Sequence, residues 1–214
     1  MKNFIRIASG QGYWGDWLEA PLLQVSSGPI DYLVMDYLAE VTMSILQKQK
    51  SRNPERGYAT DFIPLMEKLL PSLVQNNIKV IANAGGVNPL ACVRAIKQLA
   101  EKAGFSDLKI AAVYGDDITG RLQDLIRQGF PLKHMDTGAD LSGIIDQVTS
   151  ANVYFGAAPV VEALDKGAQI IVCGRVTDTG LTLAPMIHEF GWSFDDWDKL
   201  AAGIIGGHIN ECGA

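Results

Sequence analysis

Arg175 follows Gly174 at the point where the apolar run 170–173, Ile-Ile-Val-Cys, stops. Thr177 and Asp178 come next, ahead of an apolar pattern with helical spacing. A guanidinium at the mouth of a buried strand needs an anion, either a ligand's or the protein's own. Asp36, Asp116 and Asp178 are the internal partners the sequence offers. Thr177 or Asp178 can cap the following helix, which leaves the other free. A second cluster is "NAGGVNP", residues 83–89. Asn83, Gly85, Gly86 and Asn88 supply neutral donors, acceptors and close backbone approach, which suits a carbonyl, a carboxylate or a phosphate. Asn88 can equally act as the N-cap of a helix that opens on Pro89.

Further groups could move protons. Asp36 ends an apolar run, with Glu40 four residues on, and Asp116 and Asp117 end another. Asp36, Asp116, Asp117 and Asp178 could surround a divalent cation, and each could instead cap a helix. In the tail, "GGHINECGA" at 206–214, His208 and Glu211 stand three apart and can share a helix face as an acid–base pair. Cys212 beside Glu211 is a poor nucleophile, because an adjacent carboxylate raises a thiol's pKa. Gly10, Gly12 and Gly15 formally match G-x-G-x-x-G, but Tyr13 and Trp14 sit where the backbone should approach a pyrophosphate. That loop reads first as a tight strand-to-helix turn, and no redox cofactor signature emerges. The three histidines show no zinc spacing.

These groups need a scaffold. Strand-length apolar runs recur at 4–10, 31–37, 78–86, 108–117, 152–157 and 169–175, with a short edge candidate at 132–136. Near-continuous apolar strands imply burial on both faces. Helical spacing appears at 38–49, 60–75, 88–103, 117–128, 157–166, 179–190 and 196–205. Pro71 implies a kink or break within 60–75, and the polar stretch 47–61 reads as an exposed loop. Alternation of strands and helices predicts an α/β fold, an open and mostly parallel sheet of six or seven strands in Rossmann-like layers with helices on both faces. In such a sheet the strands' carboxyl ends collect the site, and all the groups named above lie at such ends or in the tail.

The 214 residues suit a single domain, and a composition 48% hydrophobic and 20% charged supports a sizeable core. A net charge of −6, with no Lys/Arg cluster, argues against a nucleic-acid partner. No window suits a membrane span or a signal peptide, and three scattered cysteines fit a reducing, cytoplasmic setting. A small anionic substrate is the expected ligand, and a homo-oligomer or a pathway partner stays open.

Five stretches, "ASGQGYWGD", "DYLVMDYLAE", "NAGGVNP", "CGRVTDTGLTLAPMIHEFGW" and "GHINECGA", together resemble the acyclic terpene utilisation protein A family. The resemblance runs from the first strand to the last residue. It implies a place in acyclic terpene catabolism, beside enzymes of acyl-CoA intermediates, and an N-terminal portion of a longer family domain. With it, the residues suggest a catabolic enzyme, a hydratase or hydrolase, acting on a terpenoid or branched acyl-CoA. A non-catalytic binding or assembly subunit and a nucleotide-binding domain are the alternatives.

Overall fold

The computed structural model describes residues 3–211. Five strands form a parallel sheet: β1 (Ile7–Gln11), β2 (Tyr32–Met35), β3 (Lys79–Ala82), β4 (Ile110–Val113) and β5 (Ile170–Cys173), in the order β1-β2-β3-β5-β4. The described residues include eight α-helices: α1 (Ala20–Ser27), α2 (Glu40–Arg52), α3 (Phe62–Gln75), α4 (Pro89–Lys102), α5 (Leu122–Arg127), α6 (Ala158–Asp165), α7 (Gly180–Phe190) and α8 (Trp197–Glu211).

Strand periodicity of two divides the core. Leu33, Met35, Val80, Ala82, Ile170 and Val172 pack with residues of α1, α2, α3 and α4 on one face. Tyr32, Val34, Ile81, Ile171 and Cys173 pack with α6 and α7 on the other. Both faces are covered, as the apolar strands predict.

Among the described residues the strand count is five, not six or seven. The 152–157 segment makes only isolated bridges, Asp117 to Asn152 and Phe155 to Val176, and 132–136 only Lys133 to Asp140. Val153 and Tyr154 are exposed, so the segment lacks the two buried faces of an inner strand. Its amides go to loop carbonyls instead: Val153 N–H donates to Asp116 O at 2.8 Å and Phe155 N–H to Arg175 O at 3.1 Å. It is a strap laid over the ends of β4 and β5.

Helix differences have similar causes. The run 60–75 does not break at Pro71; α3 continues to Gln75. Leu65, Met66, Leu69, Leu70 and Leu73 are buried along it, and that apolar face outweighs the hydrogen bond Pro71 removes. The first half of the polar stretch 47–61 belongs to α2, whose end reads Gln-Lys-Gln-Lys-Ser-Arg, mostly good helix formers. Helix α1 was not visible in the sequence, since eight residues give too little periodicity.

The glycine pair of "NAGG" is explained by packing. A Cβ on Gly85 would stand 2.6 Å from the Cys173 carbonyl oxygen and 2.9 Å from Pro89 Cα. Gly86 takes φ +53° beneath Leu46, with Gly57 O 2.8 Å from the place a Cβ would occupy. We expect Gly85→Ala to cost about 1–3 kcal/mol, as overpacking does, read as a lower urea midpoint with an unchanged far-UV spectrum. An unchanged midpoint would contradict this close fit of β3's exit against β5.

Candidate functional site

Neighbouring strands β3 and β5 send their chains to opposite faces. After β3 the chain enters α4, whose Cys92, Ile96 and Ala100 lie in the first core; after β5 it enters α7, whose Leu181, Ala184 and Ile187 lie in the second. In open α/β sheets such a reversal marks the place, at the strands' carboxyl ends, where ligands bind. Asn83 follows β3 there and Arg175 follows β5.

Arg175 is 4% exposed. Its Nη1 donates to Leu38 O at 2.6 Å. Nη2 lies 3.3 Å from Asp178 Oδ1 and 3.8 Å from Glu40 Oε1. The guanidinium carbon sits 4.2 Å from the centre of the Tyr154 ring, a cation–π contact. Tyr154 in turn donates its hydroxyl to Glu40 Oε1. Asp178 is therefore the near internal partner of the guanidinium. Asp116 serves the main chain instead: its Oδ2 accepts the Arg175 N–H at 2.9 Å and Asn152 Nδ2 at 2.9 Å. A side chain at 174 would run into that carboxylate, which is why Gly174 precedes the arginine.

Asp36 and Asn83 are both buried. The β2–β3 register pairs Met35 with Ala82, and one residue further Asp36 Oδ1 accepts from Asn83 Nδ2 at 2.6 Å. The same oxygen accepts Leu38 N–H at 3.0 Å, and Asn83 Oδ1 accepts Tyr37 N–H at 2.6 Å. Burial pushes the Asp36 carboxyl up to about 6, against the pull of these hydrogen bonds and of Arg175. Asp178 is raised by burial as well, with Arg175 acting against the rise and Glu211 and Glu40 adding to it. Burial also raises Asp116.

Helix α8 completes the group. It packs on α7 through Gly203 and Gly207; a Cβ on Gly207 would lie 2.9 Å from Thr179 O. Its last turn carries His208, whose Nδ1 is 3.2 Å from Glu211 Oε1. The Ser9 hydroxyl donates to Glu211 O at 3.3 Å, which fastens this turn to β1. Both His208 and Glu211 act electrostatically on Asp178.

The structure thus gathers Asp36, Asn83, Arg175, Asp178, His208 and Glu211, and adds Glu40 and Tyr154. Other candidates have structural duties. Asn88 occupies the N-cap position of α4 without capping it, and its side chain donates to Pro54 O and Arg56 O, both at 2.8 Å. The N–H groups of Gly86 and Asn88 donate within their own turn, to Asn83 O and Gly85 O. Thr177 N–H holds the strap at Phe155 O. Gly10 packs under Met35, Leu33 and Pro21, and Gly12 N–H donates to Asp16 Oδ2 at 3.0 Å. Asp117 accepts the Thr119 N–H. Cys92 and Cys173 are buried, with thiols raised by desolvation, and Cys212 lies outside the described residues. Among the described residues no three His, Cys, Asp or Glu side chains are grouped to hold a metal ion.

A family model described as "Acyclic terpene utilisation family protein AtuA" matches residues 5–214. The chain belongs to this family. No curated protein and no solved structure matches the chain. Membership links it to acyclic terpene utilisation. The five stretches that resemble the family meet at one end of the sheet, through Ser9, Asp36, Asn83, Arg175 with Asp178, and His208 with Glu211. No helix among the described residues is long and apolar enough to cross a membrane.

Sequence spacing missed Tyr154, since its segment reads as a strand interior. Glu40 was visible as an acid four residues beyond Asp36, but nothing linked it to Arg175.

Asp36 has a measurable thermodynamic consequence. Its folded pKa lies above the unfolded one, so between about pH 4 and 6 the native state holds a proton the unfolded state has lost, and stability falls as pH rises through that window. Asp36→Asn removes the buried charge. We expect a higher Tm than wild type at pH 7, worth up to about 3 kcal/mol, and a difference that closes by about pH 4. A difference independent of pH would contradict the burial account.

Proposed function

We propose that the chain is a catabolic enzyme of acyclic terpene or branched acyl-CoA degradation, a hydratase or hydrolase that binds an anionic substrate at the carboxyl ends of the strands. The observation that carries this reading is the buried Asp36 carboxyl, raised to about 6 and standing beside the Arg175–Asp178 pair. A carboxyl that titrates near neutrality is suited to take a proton from water and return it. Hydration and hydrolysis both need that transfer. Asn83 holds Asp36 in one orientation, and Arg175 offers the local positive charge for a substrate anion. His208 and Glu211 stand at the rim as a second proton-transfer pair.

The nucleotide-binding alternative fits poorly, because Gly12 N–H turns to the Asp16 carboxylate and a pyrophosphate there would meet an anion. A binding or assembly role in the same pathway has one supporting observation. Trp197, Ile205 and Ile209 are exposed at four- and eight-residue spacing along α8, at 73%, 62% and 70%, which suits contact with another protein.

The test combines binding and turnover. Purified protein is melted with coenzyme A, short branched acyl-CoAs and terpenoid acids, and assayed for hydration or hydrolysis of the thioesters. We expect stabilisation of the wild type by one of these ligands, lost in Arg175→Lys. We expect turnover to fall by about 10²-fold or more in Asp36→Asn, with binding retained. Full turnover in Asp36→Asn would overturn the proton-transfer role. Binding without turnover in the wild type would favour the assembly reading.

A further inference from the structure

Arg175 does not use all its donors. Nη1 is committed to Leu38 O at 2.6 Å. Nε is buried and has no hydrogen-bond partner among the described residues. Among the described residues Nη2 makes longer ion contacts, 3.3 Å to Asp178 and 3.8 Å to Glu40. The edge left over is Nε with Nη2, two parallel N–H groups of the kind that grip both oxygens of a carboxylate.

The Glu40 carboxylate approaches the Nη2 end of that edge from solvent. Its side chain is 78% exposed, while that of Arg175 is 5% exposed. Tyr154 lies across the guanidinium and donates to Glu40. Tyr154 belongs to a segment held by hydrogen bonds to loop groups more than by buried side chains: of residues 114–156, all described, Asp116 and Leu122 alone are buried. Segments with so few buried contacts open at low cost.

We propose that Glu40 stands in for a ligand carboxylate on Arg175, latched by Tyr154, and that a carboxylate-bearing ligand enters by displacing it. This rests on the reading of Arg175 as the anion-binding residue and narrows the anion to a carboxylate. Glu40 and Tyr154 are then specificity-determining residues. They cover the guanidinium until an anion with the right planar geometry competes, and they keep weaker anions off it. Asp178 stays in place throughout as the buried partner of Nη2.

Binding of 3-methylbutanoate, and of its CoA thioester as an analogue without a free carboxylate, is measured by calorimetry. The proteins are wild type, Glu40→Gln, Tyr154→Phe and Arg175→Lys. Glu40→Gln is expected to tighten binding of the acid by about tenfold, the effect of removing one competing charge contact, and Tyr154→Phe by less. The thioester is expected to show no such gain. Arg175→Lys is expected to weaken the acid. Loss on Arg175→Lys with no gain in Glu40→Gln overturns the stand-in role and leaves Arg175 as the anion site. Equal gain for the thioester overturns the carboxylate assignment. No effect of Arg175→Lys, or no binding by any of the four proteins, overturns the anion site and this inference with it.

Discussion

A guanidinium buried at the end of a parallel sheet sets the terms for everything around it. A charge taken out of water is tolerated when it is paired and its donors are used. Arg175 draws in the Leu38 carbonyl from the β2 exit, Asp178 from the start of α7, and the Tyr154 ring from the strap. Asp116 fixes the arginine's main chain, and Gly174 makes room for that carboxylate. Three stretches of chain thereby meet the cation, and a fourth meets its main chain. Arg rather than Lys suits the place, since its planar fork addresses several acceptors from a fixed position.

The same cation acts on both Asp36 and Asp178, opposing in each the rise that burial imposes. Asp178 meets the guanidinium directly, so Arg175 opposes the rise that burial imposes. Asp36 is held by Asn83 and the Leu38 N–H, and there too burial outweighs the pull of Arg175. Asn83 has both ends of its carboxamide committed, one to Asp36 and one to Tyr37 N–H. It therefore fixes the orientation of the carboxylate.

Much of this was legible in the sequence because a parallel sheet delivers all its carboxyl ends to one place. Asp36, Asn83 and Arg175 each follow an apolar run, so topology alone brings them together. His208 and Glu211 were legible as neighbours on one helix face, but their approach to Asp178 depends on how α8 packs, and Gly203 and Gly207 decide that. The glycines of "NAGG" suggested a ligand-facing backbone, whereas the close approach they permit is to the Cys173 carbonyl and to Leu46. Tyr154 was hidden because Val-Tyr-Phe has strand propensity, and the competing factor, hydrogen bonding to the ends of β4 and β5, is tertiary. Glu40 was visible as an acid, but its link to Arg175 was not, because its partners Tyr154 and Arg175 are 114 and 135 residues away in the chain.

The most direct measurement is an NMR titration of the side-chain carboxyl carbons in the folded protein, with Asp36 assigned by its loss in Asp36→Asn. The account predicts an Asp36 midpoint near 6, well above the ordinary aspartate range. A midpoint at or below about 4 would mean that the carboxylate is solvated or tightly paired, and would contradict the buried proton-transfer group on which the functional reading rests.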